Sequence, residues 1–95
     1  MIKHIVFFRL KDGSPENIAK TKDVLMSMEG KIPEVHHLEV GMDVIRSERS
    51  YDLSLIVEVD SLEDLDKYQV HPVHKEIIEY IAQVKESVVA VDYEV

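Results

Sequence analysis

The segment Tyr68-Gln69-Val70-His71-Pro72-Val73-His74 holds one phenol and two imidazoles within seven residues. Histidine titrates near neutral pH, so an imidazole can accept and return a proton without an extreme environment. A tyrosine hydroxyl can donate a hydrogen bond or a proton to a substrate oxygen. Because the residue before a proline avoids the helical region, Pro72 bends the chain and lets its neighbours converge. Tyr68 and His74 are therefore the candidate acid/base pair.

Three more side chains are expected beside this pair. His4 and Phe8 share one face of a predicted strand, so His4 and His74 can line one pocket if that face meets the helices. We place His71 in the pocket as well, although a residue just before a helix-starting proline commonly caps backbone groups. Structural roles remain open for all of them, since a histidine can belong to the core and Tyr68 can simply pack its ring.

No metal site or cofactor site is expected. His71 and His74 have i,i+3 spacing, which can place two imidazoles on one helical face, but no third ligand has a recognisable spacing. His36 and His37 would point to opposite faces of a strand. The chain has no cysteine, and it lacks a glycine-rich phosphate loop and a nicotinamide or flavin fingerprint.

The composition indicates one globular domain spanning residues 1–95, because the chain is short and 45% hydrophobic with 32% charged residues. A formal net charge of −8 disfavours nucleic-acid binding, since the phosphate backbone would repel the protein. No apolar run approaches the roughly 20 residues of a membrane span. The N-terminus lacks a secretory signal pattern, so we expect a cytoplasmic protein without a membrane partner.

The periodicity predicts the elements that position these side chains. Alternation of apolar and polar residues predicts strands over residues 2–10, 35–45, 51–60 and 87–94. Ser14-Pro15 starts a first helix that ends by Gly30, and Ser61 starts a second helix that Pro72 interrupts. Gly41 inside a strand indicates a bulge or a close backbone approach. The resulting βαββαβ order predicts a ferredoxin-like α+β domain with a four-stranded antiparallel sheet.

The face of the sheet without helices predicts a homodimer. Ile5 and Phe7 lie on that face of the first strand, and Ile56 joins them from a neighbouring strand. A solvated sheet face should be more polar, and an exposed apolar patch commonly marks an interface. Two such faces packed together in a closed dimer would cover the patch. A monomer with a somewhat apolar face is the alternative.

The chain resembles the stress responsive A/B barrel family, also called Dabb, over nearly its whole length. The resemblance rests on Lys3-His4-Ile5-Val6, Val40-Gly41, Tyr51-Asp52 and, above all, Tyr68-x-x-His71-Pro72-x-His74. It implies a ferredoxin-like protomer and a dimer whose two sheets form an α+β barrel. It also implies a link to stress responses, which some members have. In a plant polyketide cyclase of this family, the residues matching Tyr68 and His74 act as the acid/base pair, and His4 matches a pocket histidine.

Three functions follow from these observations. The first is a dimeric protein that binds a small, largely apolar molecule in a pocket between helices and sheet. The second is a cofactor-independent enzyme resembling a polyketide cyclase, in which His74 removes a proton next to a carbonyl that Tyr68 orients. The third is a purely structural module that assembles through its sheets.

Overall fold

The computed structural model describes residues 1–95. The elements in chain order are β1 (Ile2–Leu10), α1 (Pro15–Met26), β2 (His37–Met42), β3 (Leu53–Val59), α2 (Leu62–Val70), α3 (Pro72–Val84) and β4 (Lys85–Glu94). The sheet has the order β2-β3-β1-β4, and each neighbouring pair is antiparallel. The predicted ferredoxin-like topology is confirmed, with the second helix divided in two at Pro72.

Three helix starts follow from side chains that cap free backbone N–H groups. Ser14 Oγ accepts from the N–H of Asn17 at 3.3 Å, before α1. Ser61 Oγ accepts from the N–H of Asp64 at 3.2 Å, before α2. His71 Nδ1 accepts from the N–H of Val73 at 3.1 Å, before α3. Each cap fixes where its helix begins.

Three strands have other bounds than the predicted ones, and one of them, β3, covers Leu53–Val59 rather than residues 51–60. β2 covers only six residues, because Arg46 adopts a left-handed backbone conformation with φ 58° and its N–H bonds to the Asp43 side chain, which closes a turn. β4 begins at Lys85 rather than at residue 87, because Lys85 is already extended directly after the last residue of α3. No loop separates this helix from this strand.

Gly41 provides a close approach and not a bulge. The register between β2 and β3 is continuous, and a Cβ atom on Gly41 would lie 3.1 Å from Ser54 Oγ. The irregularity of the sheet lies elsewhere, between Arg9 and Leu10 where β1 pairs with β4.

The core lies between the helices and one face of the sheet. Its strand residues alternate along β1, β2 and β3, and the helices add one apolar stripe each. The buried apolar residues are Ile2, Val6, Phe8, Leu10, Ile18, Leu25, Met28, Ile32, Leu38, Val40, Leu53, Leu55, Val57, Val59, Leu65, Tyr68, Ile77 and Ile81. β4 is the exception, because no residue of this edge strand is buried. Space is therefore left between α3 and β4.

The opposite face of the sheet carries no helix and is apolar along β1 and β4. Phe7 is 44% exposed and pairs with Val89, and Val91 is 63% exposed and pairs with Ile5. Ile5 also pairs with Ile56 of β3.

None of the helices has both the length and the apolar composition needed to cross a bilayer.

Candidate functional site

A cavity of about 280 Å³ lies between α3 and the helix-side face of β1 and β4. Most of its wall is apolar, with Val6 and Phe8 from β1 and three isoleucines of α3 among the lining residues. The polar lining residues are His4, Tyr68, Gln69, His74 and Lys85. A mostly apolar cavity with a few convergent polar groups is typical of small-molecule sites.

The break between α2 and α3 brings Tyr68 and His74 together. Tyr68 lies in the last turn of α2, and His74 lies in the first turn of α3. His71 between the helices is extended, with φ −62° and ψ 138°, as its position before Pro72 requires. The two rings consequently pack against each other with centroids 4.3 Å apart. Both side chains line the cavity.

His74 has one ring nitrogen occupied and one left over. Its Nδ1 lies 3.0 Å from the backbone oxygen of Gln69. Since a carbonyl oxygen only accepts, Nδ1 carries the hydrogen, and Nε2 holds the lone pair of the neutral ring. Burial lowers the pKa of His74, and the charges of protonated His4 and His71 act in the same direction, whereas the bond to Gln69 opposes them. His74 is therefore a neutral acceptor near pH 7.

Tyr68 is fully buried, and its hydroxyl has only a weak acceptor. The Oη atom lies 3.9 Å from Met28 Sδ, and a thioether sulfur accepts hydrogen bonds poorly. Burial raises the pKa of Tyr68 far above its usual value of 10. The phenol therefore keeps its proton and can donate a hydrogen bond to a carbonyl oxygen that enters the cavity.

A further polar residue, Asp92, is connected to the site through His4. The ring of His4 stands edge-on to Tyr68 at a centroid distance of 5.9 Å, and its Nδ1 contacts the carboxylate of Asp92. His4 and Asp92 are direct partners in the β1–β4 register. Asp92 was not among the predicted site residues, although it follows Val88 and Ala90 at period two and therefore lies on the strand face that meets the helices.

The structure separates the predicted site residues into two groups. Tyr68, His74, His4 and Phe8 meet in the cavity. His71 does not line it, which corrects its placement in the pocket. Its Nδ1 accepts from the N–H of Val73 at 3.1 Å, so the imidazole acts as the helix cap that was the alternative interpretation.

No group of three histidine, cysteine or acidic side chains converges in the structure. His36 instead lies 3.0 Å from Asp60, and His37 lies 3.5 Å from Glu39, both at exposed positions.

Solved structures with the same fold include dimeric proteins and one enzyme. A dimeric protein of unknown function with a ferredoxin-like fold from Bacteroides fragilis is 32% identical, with a TM-score of 0.85 over 99% of this chain and 95% of that chain. A dimeric ferredoxin-like protein from Thermobifida fusca is 27% identical, with a TM-score of 0.87 over 99% and 90%. A hydroxynitrile lyase from Passiflora edulis has a TM-score of 0.84 over 99% and 92%, but its 19% identity shows likeness of fold alone.

The sequence itself matches a family profile over residues 2–95, described as the stress responsive A/B barrel domain. The match covers every element of the fold and all the residues of the cavity. The chain therefore belongs to the stress responsive A/B barrel domain family, Dabb.

Proposed function

We propose that this protein is a homodimer that binds a small, largely apolar molecule, carrying at least one carbonyl or hydroxyl oxygen, in the cavity between α3 and the sheet. The observation that carries the proposal is the pairing of an apolar wall with two polar atoms that have no strong hydrogen-bond partner within the protein. Those atoms are the hydroxyl of Tyr68 and Nε2 of His74, whose other ring nitrogen is already bonded. One donor and one acceptor suit a polar group on an otherwise apolar ligand.

The homodimer is supported by the apolar face of the sheet and by the dimeric relatives from Bacteroides fragilis and Thermobifida fusca. Phe7, Val89 and Val91 form a contiguous patch on that face, away from the cavity. A partner that covers the patch leaves the ligand site on the other side of the sheet.

A purely structural module would be expected to fill its interior with side chains. Here α3 and β4 diverge and leave an open cavity, although close packing is the rule in protein interiors. The cavity therefore favours ligand binding over a role in assembly alone.

Ligand binding can be tested with aryl and alkyl ketones of six to twelve carbons in a thermal-shift titration. We expect at least one ketone to raise Tm, since a ligand at 100 times its Kd adds about 2.7 kcal/mol of stability. The variant Ala82→Phe should abolish the shift by filling the cavity, whereas Ala19→Phe on the exposed side of α1 should retain it. The proposal is wrong if no ketone raises Tm, or if both variants behave alike.

A second candidate is a cofactor-independent enzyme of the polyketide-cyclase type, which the state of His74 favours. A neutral imidazole with a free Nε2 can remove a proton from the carbon next to a ligand carbonyl. The electron pair then moves to the carbonyl oxygen, where the protonated hydroxyl of Tyr68 donates a hydrogen bond to the developing negative charge. The hydroxynitrile lyase of Passiflora edulis is consistent with this candidate only in that the fold can support an enzyme.

Proton abstraction can be tested without knowledge of the natural substrate. We expect the protein to catalyse exchange of the α-hydrogens of a bound ketone in D₂O, followed by proton NMR. His74→Gln should slow the exchange by roughly 10²- to 10⁴-fold, the usual contribution of a positioned base. If the rate with protein equals the rate in buffer, the protein is a binding protein and not this enzyme.

A further inference from the structure

Lys85 gives the cavity a charged end. It is the C-terminal cap of α3 and the first residue of β4, so it lies where helix and strand diverge. It is the one lining residue that is cationic regardless of histidine protonation. Lys85 takes part in none of the ion pairs of the protein, so its charge is available to a ligand.

An irregularity in the sheet determines that a lysine occupies this place. Arg9 pairs with Ser87, but the next residue, Leu10, pairs with Lys85, so Glu86 is the unpaired extra residue of a bulge. With a regular register, Glu86 would oppose Leu10 and place an acid on the cavity face. The bulge thus exchanges a negative charge for a positive one at this end of the cavity, and bulges commonly re-aim side chains in this way.

The bulge is held in place by a buried carboxylate. Asp52 Oδ2 accepts the N–H of Leu10 at 2.7 Å, while Oδ1 accepts from Arg46 Nη2 at 2.9 Å. On the other side, the N–H of Lys11 bonds to the oxygen of Val84, the last residue of α3. Both edges of β1 at this point are therefore fixed, and the end of α3 is tied to them.

The two ends of the cavity differ in their chemistry. His74 lies in the first turn of α3, and Lys85 follows its last residue. At a rise of 1.5 Å per residue, the two positions are about 16 Å apart along the helix axis. At the end that holds Tyr68 and His74, the carboxylate of Asp92 contacts His4 and disfavours an anion. Between the ends, the wall is formed by Val6, Phe8, Ile77 and Ile81.

We infer that the ligand is an amphipathic carboxylate, with its anionic group at Lys85, its apolar body along α3 and its carbonyl or hydroxyl oxygen at Tyr68 and His74. This inference rests on the proposed ligand-binding function and names the class of ligand. A protein with a net charge of −8 repels an anionic ligand. The positive charge of Lys85 offsets this repulsion at one end of the cavity.

The test compares 6-phenylhexanoate with 6-phenylhexan-1-ol, which differ only in the charged end, by NMR titration at low ionic strength. We expect the wild-type protein to bind the acid about threefold more tightly, a preference typical of a solvent-accessible ion pair. Lys85→Gln should remove the preference, and Lys85→Glu should reverse it. Lys75→Gln, at an exposed position of α3 outside the cavity, should retain it.

The outcomes separate this inference from the proposed function. If acid and alcohol bind equally well to the wild-type protein, or if Lys85→Gln keeps the preference, the carboxylate assignment is wrong while the cavity proposal stands. If neither compound shifts the resonances of the cavity residues, both proposals are contradicted.

Discussion

The imidazole of His74 lies against the phenol of Tyr68, with ring planes inclined by 44° and centroids 4.3 Å apart, although the two residues belong to different helices. The contact exists because α2 ends and α3 begins at a single extended residue, His71. A hydrogen-bond donor and a neutral acceptor are thereby placed side by side at an apolar cavity.

Removal of the Tyr68 hydroxyl should weaken ligand binding while the protein stays folded. Tyr68→Phe loses only a 3.9 Å contact with Met28 Sδ, so the free energy of unfolding in urea should change by less than about 1 kcal/mol. The Kd for a ketone ligand should rise about fivefold, as expected for one lost hydrogen bond. Tyr80→Phe, on the same helix as His74 but outside the cavity, should leave Kd unchanged. Equal effects of the two variants would contradict the role of Tyr68.

The lowered pKa of His74 should make the protein less stable in mild acid. The groups around its ring are Tyr68, His4, His71 and the oxygen of Gln69. The folded-state pKa of His74 lies below its unfolded-state value of 6.5. At a pH between these two pKa values, the unfolded chain therefore binds more protons than the folded protein. The contribution of neutral His74 to the free energy of unfolding is thus complete above pH 6.5, and it is lost as the pH falls towards the folded-state pKa.

NMR titration of the His74 ring measures this directly. The midpoint should lie below 6.5, and the nitrogen shifts should report a hydrogen on Nδ1 at neutral pH. His74→Gln should reduce the loss of stability on acidification. A midpoint at or above 6.5, or a hydrogen on Nε2, would exclude the neutral base described above.

Asp92 should act through His4. The side chain of His4 is only 8% exposed, so replacing its carboxylate partner with a neutral amide weakens the hydrogen bond of a buried ring nitrogen. Because Asp92 is itself 41% exposed, we expect Asp92→Asn to reduce the free energy of unfolding by only about 1 kcal/mol. The exposed Glu94→Gln, on the same face of β4, is the matched control. If the two variants unfold at the same urea concentration, the contact between His4 and Asp92 does not stabilise the fold.

A charge on the helix-free face should separate the proposed dimer. In a closed dimer, Phe7→Glu places two like charges in an apolar interface, which should yield a monomer in analytical ultracentrifugation. Ile45→Glu, at an exposed apolar position in the β2–β3 connection, should remain dimeric. A Phe7→Glu variant that sediments as a dimer would place the interface elsewhere.

Much of the fold could be predicted because local patterns determine it. β1 has the predicted bounds, since large apolar residues recur along both of its faces. Ser14, Ser61 and Pro72 mark helix starts by their own chemistry. The contact of Tyr68 with His74 is also local, because only a helix break separates them. The bounds of β2 and β4 could not be predicted, because they depend on the Arg46 turn and on a strand that begins without a loop.

The rest of the site depends on the register between distant strands. His4 and Asp92 are 88 positions apart, and one residue of slip would turn Asp92 to the other face of the sheet. Lys85 reaches the cavity only through the bulge opposite Arg9 and Leu10. The cavity itself exists because α3 does not pack down on β4, which no periodicity in either element reveals.

The central claim is that a ligand occupies the space between α3 and the sheet. Intermolecular NOEs from a bound ketone to the methyl groups of the protein test it most directly. We predict NOEs to Ile77 and Ile81 of α3 and to Val6 of β1, together with a shift of the His74 ring resonances. NOEs confined to Val89 and Val91, on the helix-free face, would contradict the claim.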